Sequence, residues 1–139
     1  MKRFTLISTA LLALFAFSCA TTATEVEENL TPGEFFQKGQ EATTNFQNYE
    51  QALVYYKTFI ERYPEQQALI VEAEYEIAFL YYKMGNNAVA SDLFSRLLDK
   101  YERPEAAILP AWPKVMSEKI LEIINNSETE EAEETETAE

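Results

Sequence analysis

The sequence predicts an all-α fold, a short α-solenoid of two helix hairpins followed by a C-terminal capping helix. Three observations predict it. Apolar residues recur at helical spacing, every third or fourth residue, through much of residues 33–126. One stretch of this pattern, which begins at Ala52, recurs from Ala90 onward. The segments between the periodic stretches carry residues that start and stop helices. We therefore expect one helical domain over residues 33–126.

Residues 1–18 predict a removable export signal. Lys2 and Arg3 precede an apolar stretch, residues 4–17, that is too short to cross a membrane as a helix. Polar residues follow it at once, as they do after the apolar region of a signal peptide. The protein is therefore expected to leave the cytoplasm.

The end of this signal carries the only cysteine of the chain. Residues 16–19 read Ala-Phe-Ser-Cys and resemble the lipobox of bacterial lipoproteins, in the looser form known from some bacteria, spirochaetes among them. The resemblance implies cleavage before Cys19, lipidation of Cys19 and a flexible tether over residues 19–32. It also implies the periplasmic face of the outer membrane, because Ala20 replaces the aspartate that marks retention at the inner membrane. The alternative is ordinary cleavage after Ala20, which would leave the protein periplasmic or secreted.

The first hairpin is predicted over about residues 33–64. Residues 31–34 read Thr-Pro-Gly-Glu, a capping box with proline at the first helical position. Asn48 is a candidate cap for the second helix. The apolar positions of that helix, which follow one helical stripe, are Ala52, Tyr56, Phe59, Ile60 and Tyr63.

The second hairpin is predicted over about residues 71–104. The first stripe recurs at Ala90, Phe94, Leu97, Leu98 and Tyr101, again on one side of a helix. Equivalent residues of the two stripes are separated by the same number of residues, as Ala52 is from Ala90. We call this separation the repeat period. Residues 85–87, Gly-Asn-Asn, supply a left-handed terminator and a cap between the two helices.

A capping helix is predicted over about residues 111–125. Trp112 lies one repeat period after Glu74, so this segment corresponds to the first helix of a further hairpin. No other periodic stretch follows it. The helix is therefore expected to close the end of the solenoid.

These hairpins resemble tetratricopeptide repeats. The residues that carry the resemblance are Tyr49, Ala52, Tyr56 and Pro64 in the first copy and Ala78, Tyr81, Gly85, Ala90 and Phe94 in the second. The repeat period is longer than that of the standard repeat. Such longer repeats, ending in Tyr-Pro as at residues 63–64, are most similar to the tetratricopeptide lipoproteins of the outer-membrane barrel-assembly machinery and of the periplasmic cell-division coordinator.

Composition excludes several classes of function. Asp and Glu number 24 against 11 Lys and Arg, a net charge of −13, and an acidic protein repels nucleic acid. Residues 127–139, with seven Glu, are predicted to form a disordered acidic tail. The sequence has no His and one Cys, so it lacks the usual general base, the commonest metal ligand and a thiol pair. We expect neither enzymatic activity nor a metal or cofactor.

The resemblance places a partner-binding groove on the first helix of each pair. The residues expected to line it are Glu34, Gln37, Glu41, Thr44 and Asn45 in the first pair and Glu72, Tyr75, Phe79, Tyr82 and Lys83 in the second. The first helix of the second pair is apolar nearly all round, so something must cover it. Either the capping helix folds back over its aromatic residues, or these residues bind a peptide. Trp112 is expected to pack within the capping helix region.

Taken together, the sequence predicts an exported, lipid-anchored adaptor that binds an envelope protein or peptide segment, as in outer-membrane protein assembly. Two and a half repeats bury little surface against one another, so self-association into a homo-oligomer is also expected. The alternative is an envelope solute-binding or substrate-delivery protein, with an apolar pocket lined by Tyr75, Phe79, Tyr82 and Trp112.

Overall fold

The computed structural model describes residues 26–45 and 47–136. These residues form five α-helices and one 3₁₀ turn: α1 Pro32–Thr44, α2 Tyr49–Arg62, α3 Gln67–Lys83, α4 Asn87–Tyr101, the 3₁₀ turn Pro104–Ile108 and α5 Ala111–Glu136. The described ranges contain no strand, which confirms the predicted all-α class. None of these helices combines the length and the hydrophobicity that a membrane span requires. The predicted export signal and Cys19 lie outside the described residues.

The helices begin and end at the capping residues that the sequence indicated. The backbone N–H of Thr31 donates to the Glu34 carboxylate at 2.7 Å, and the Glu34 N–H donates back to the Thr31 hydroxyl at 3.4 Å. The Asn48 side chain accepts from the Gln51 N–H at 3.1 Å. Gly85 follows the C-terminal end of α3 and has a φ of 75°. This is the left-handed region, which glycine adopts without a Cβ clash.

The helices stack as two hairpins and a cap. α1 packs on α2 and α3 on α4, the two hairpins meet through α2 and α3, and α5 packs on α4 and touches α3. This is the predicted short solenoid. Each hairpin contributes one side of a shared interior, since neither could bury its apolar stripe alone.

The interior consists of two apolar clusters that follow the repeat period. Phe59 is fully buried at the centre of the first cluster, and Phe94 at the centre of the second. Ala52 and Ala90, which lie one period apart, are both fully buried where the helices approach closely. The predicted stripe positions therefore face the interior in both copies.

The segment before α1 is docked where the sequence predicted a flexible tether. The Arg62 guanidinium donates to the carbonyls of Glu27 and Glu28 at 2.7 and 3.1 Å. The Tyr63 hydroxyl donates to the Leu30 carbonyl at 2.7 Å, and the Leu30 side chain is buried. The tether prediction is thus wrong from residue 26 onward, because the end of α2 binds this backbone.

The end of α5 also differs from the prediction. The helix continues to Glu136, where the sequence predicted a capping helix ending near residue 125 and a disordered acidic tail. The residues after Pro113 include no Gly or Pro, and Glu and Ala favour helix. The Ser127 hydroxyl donates to the Ile124 carbonyl at 2.8 Å. Residues 127–136 therefore extend the helix, and residues 137–139 lie outside the described part.

Candidate partner-binding site

The residues predicted on α1 are all exposed, but they do not form one continuous site. Glu34 is occupied as the capping residue of α1, and hydrogen bonds from Thr31 lower the pKa of its carboxyl. The Gln37 amide donates to the Glu41 carboxylate at 2.8 Å, one helical turn away. Thr44 is exposed near the end of the helix, and so is Asn45 just beyond it. Glu34 thus caps α1, and its part in partner binding stays a prediction.

Tyr75 is buried, contrary to its predicted place in an open groove. Only 5% of the residue is exposed. Its ring contacts that of Phe94 on α4, with centroids 5.7 Å apart, and that of Trp112 on α5, with centroids 5.0 Å apart. Burial raises the pKa of the Tyr75 hydroxyl. At this position the capping helix covers α3, which is one of the two alternatives that the sequence left open.

Further along α3 the aromatic rings remain accessible. Phe79 stacks on Tyr75 with centroids 5.9 Å apart, and Tyr82 follows at 6.0 Å from Phe79. Both side chains are half-buried, and Lys83 beside them is exposed. We call Trp112, Tyr75, Phe79 and Tyr82 the aromatic row.

Trp112 packs against α3 but keeps an exposed surface. Its ring meets the ring of Tyr75 edge to face, so it packs against α3 as predicted. Its exposure is nevertheless 40%, because it lies at the start of α5 where α3 covers only one side. Three of the four rings of the aromatic row thus keep an accessible surface, and tyrosine and tryptophan are the residues that most often anchor protein interfaces.

The carboxylates of α3 occupy different environments. Glu74 binds the Lys100 ammonium of α4 at 2.6 Å. Glu76 is partly buried, and both its burial and the neighbouring Glu72 raise the pKa of its carboxyl. The positions of these carboxylates along α3 follow from the sequence. Which helix packs against each carboxylate does not. A partner at the aromatic row would meet negative charge beside Phe79 and positive charge at Lys83.

The described residues form no metal cluster and do not enclose the aromatic row. Within them no group of three or more His, Cys, Asp or Glu side chains is placed to hold a metal ion. Two surface clefts, of about 210 and 390 Å³, lie elsewhere, one between α3 and α4 and one beside the 3₁₀ turn. None of the four aromatic-row residues lines either cleft. The row is an accessible surface, which suits a protein segment better than a small apolar solute.

Comparison with known proteins agrees with this architecture. Residues 33–65 and 72–102 match the family model for the tetratricopeptide repeat. The chain contains two tetratricopeptide repeats. The matched ranges correspond to the two hairpins, α1–α2 and α3–α4, and leave α5 outside the repeats.

One relative of the tetratricopeptide chain is an uncharacterized protein of Treponema pallidum (strain Nichols). The two are 32% identical over 98 residues, which make up 69% of this chain. The chain spans 39% of the length of that relative. No solved structure is significantly similar to the chain. Tetratricopeptide repeats generally bind protein partners.

Proposed function

We propose that this protein is a lipid-anchored tetratricopeptide adaptor of the bacterial envelope, which binds a segment of another envelope protein at the aromatic row. The observation that carries the proposal is the partial exposure of Phe79 and Tyr82 on α3 and of Trp112 beside them on α5. A role in outer-membrane protein assembly follows from the resemblance of the longer, Tyr-Pro repeats to the lipoproteins of that machinery.

The geometry favours a short apolar segment as the bound element. The partly exposed rings of Phe79 and Tyr82 follow each other along α3, with centroids 6.0 Å apart, so successive side chains of a partner segment could contact them. Lys83 lies at the C-terminal end of this row, and Glu72 and Glu76 lie before it. A segment with a basic residue at one end and an acidic residue at the other would match this order of charges.

The membrane anchor is a separate part of the proposal. It rests on Cys19, on the export signal before it and on the lipobox-like residues 16–19. Because residue 26 is already docked on α2, at most about 25 Å of chain separates Cys19 from the folded domain, at roughly 3.3–3.6 Å per residue. An anchor at Cys19 would therefore hold the folded domain close to the membrane surface.

Labelling of growing cells with a fatty-acid analogue tests the anchor. We expect the wild-type protein to incorporate the label and to sediment with membranes, and the variant Cys19→Ser to lose both properties, since acylation needs the thiol. Thr22→Ser, which lies outside residues 16–19, is the control and should keep the label. Equal labelling of wild type and Cys19→Ser would contradict the anchor without affecting the aromatic row.

Replacement of two exposed rings tests the binding site. The double variant Phe79→Ala/Tyr82→Ala removes most of the accessible aromatic surface, and we expect crosslinking to envelope partners in the native cell to fall at least tenfold. Mass spectrometry after crosslinking measures the loss. Circular dichroism should show nearly unchanged helicity, because both side chains are only half-buried.

Tyr55→Ala provides a matched control for this experiment. Tyr55 is also a half-buried aromatic residue, but it lies on α2 away from the aromatic row. The control should retain wild-type crosslinking. If the double variant instead captures partners as the wild type does, the aromatic row is not the binding site.

A further inference from the structure

One face of α5 is apolar and uncovered within the described part of the chain. Trp112, Val115, Met116 and Ile123 recur at helical spacing on this face and are 37–58% exposed. The adjacent face of the same helix, which includes Ile120, is buried against α4 and α3. We call the exposed set, together with Lys119 between them, the open face. So many large apolar side chains on one helix face indicate an interaction surface.

The repeat period shows what this face contacts in a complete hairpin. Trp112 and Val115 lie two periods after Phe36 and Gly39 of α1. The ring of Phe36 contacts that of Tyr56 on α2, with centroids 5.5 Å apart. Gly39 lies directly against the same ring. In the first hairpin, therefore, these positions face the second helix.

The second hairpin repeats this arrangement. The positions one period before Trp112 and Val115 are Glu74 and Ile77 of α3. Glu74 binds Lys100 of α4 at 2.6 Å, and Ile77 lies in a cleft beside Leu97 of α4. α5 thus presents the surface of a first helix, and the described residues include no second helix packed on it.

We propose that the open face binds an amphipathic helix of another protein, antiparallel to α5, which completes a third hairpin in trans. The face from Trp112 to Ile123 is about 16 Å long at roughly 1.5 Å per residue. α2 and α4, which cover the equivalent faces, have 14 and 15 residues, so one partner helix of similar length would fit.

The charge of α5 determines which partner helix suits the open face. After Lys119 the sequence has eight Glu and no Lys or Arg. Most of these acidic residues lie in α5 beyond Ile124, which is the last buried residue among the side chains that the structure describes. An antiparallel helix would bring its N-terminal half beside this acidic end, where Lys or Arg and the positive end of the helix dipole are favourable. A second copy of this chain carries the same net charge of −13 and is disfavoured by repulsion.

This surface is distinct from the site of the proposed function. Tyr75, Phe79 and Tyr82 of the aromatic row lie on α3. Trp112 of α5 is the one residue that the aromatic row and the open face share. Tests of the open face therefore leave Trp112 unchanged and use Val115 and Ile123. A failure of one proposal does not affect the other.

Two synthetic peptides serve as probes for the open face. Both carry the sequence of α4, residues 87–101, which covers the equivalent face of α3. Both are preceded by an eight-residue helical extension, with four Lys in one peptide and four Glu in the other. Fluorescence anisotropy with the full-length protein measures binding. We expect the basic peptide to bind at least tenfold more tightly than the acidic one, with a difference that shrinks as salt is raised.

Variants of the protein locate the binding surface. Val115→Gln/Ile123→Gln should weaken binding of the basic peptide at least tenfold without loss of helicity, because both side chains are exposed. Ile108→Gln is the matched control, since Ile108 is 71% exposed in the 3₁₀ turn and lies off α5. Phe79→Ala/Tyr82→Ala should bind the basic peptide as the wild type does.

Three results would overturn the proposal. The first is equal affinity for the two peptides, and the second is unchanged binding by Val115→Gln/Ile123→Gln. The third is a wild-type dimer in sedimentation equilibrium that Val115→Gln/Ile123→Gln converts to a monomer, since a second copy would then occupy the open face.

Discussion

Replacement of Phe94 by Ala is expected to lower the free energy of unfolding by about 3–5 kcal/mol. Phe94 is fully buried at the centre of the second cluster, where α3, α4 and α5 meet. Its ring contacts Tyr75, and Ile120 and Ile124 of α5 belong to the same cluster. Removal of the ring leaves a cavity that three separate helices would have to close together. A domain of this size is stable by only about 5–15 kcal/mol, so the loss is a large fraction of the total.

Urea unfolding followed by circular dichroism measures this effect. Ile108→Ala is the control, because Ile108 is a large apolar residue that is mostly exposed, and its change should stay within about 0.5 kcal/mol. A Phe94→Ala variant with the stability of the control would show that α5 does not share an interior with the second hairpin.

Replacement of Gly39 by Ala is expected to destabilise the first hairpin by about 2 kcal/mol, as overpacking of a core does. A Cβ at position 39 would lie 2.6 Å from Cζ of the Tyr56 ring, closer than any side-chain atom tolerates. The ring is buried between α1 and α2 and has no open space to move into. Overpacking costs about 1–3 kcal/mol or more, which exceeds the gain of about 1 kcal/mol from the better helix propensity of Ala.

Gly33→Ala is a matched control within the same helix. No atom lies within 4 Å of a Cβ placed there, so only the propensity gain remains and this variant should be slightly more stable than wild type. The double variant Gly39→Ala/Tyr56→Leu should lose less than the sum of its single changes, because the smaller side chain removes the clash. Thermal unfolding of the four variants checks both expectations. Equal effects at positions 33 and 39 would contradict the close approach of α1 to Tyr56.

The close approach at Gly39 explains one departure of the sequence from the family pattern. The first repeat has Gly39-Gln40 where a Leu-Gly pair is usual, and the sequence offers no reason for the change. The structure supplies it, because Tyr56 fills the space that a larger residue at position 39 would occupy. Gly39 and Tyr56 therefore pack as one unit.

The candidate site was predictable only in part. The sequence identified α3 as a helix that is apolar nearly all round, and Phe79, Tyr82 and Lys83 are accessible there. It did not show that α5 would bury Tyr75, since a helix with apolar residues on every side has no preferred face. The sequence did not predict the open face either, because its apolar residues have the spacing of ordinary core residues in a capping helix.

The sequence by itself determined the local elements and their repeat. Capping residues such as Thr31, Asn48 and Gly85 act within a few residues of their own position, and the repeated stripes follow from helical periodicity. Tertiary structure alone decided the contacts between distant segments. Arg62 and Tyr63 dock the segment before α1, which is far from them in the sequence, and α5 covers the ring of Tyr75 while its outer face stays free in the described part of the chain. Burial depends on which helix lies opposite, and that is a property of the assembled solenoid.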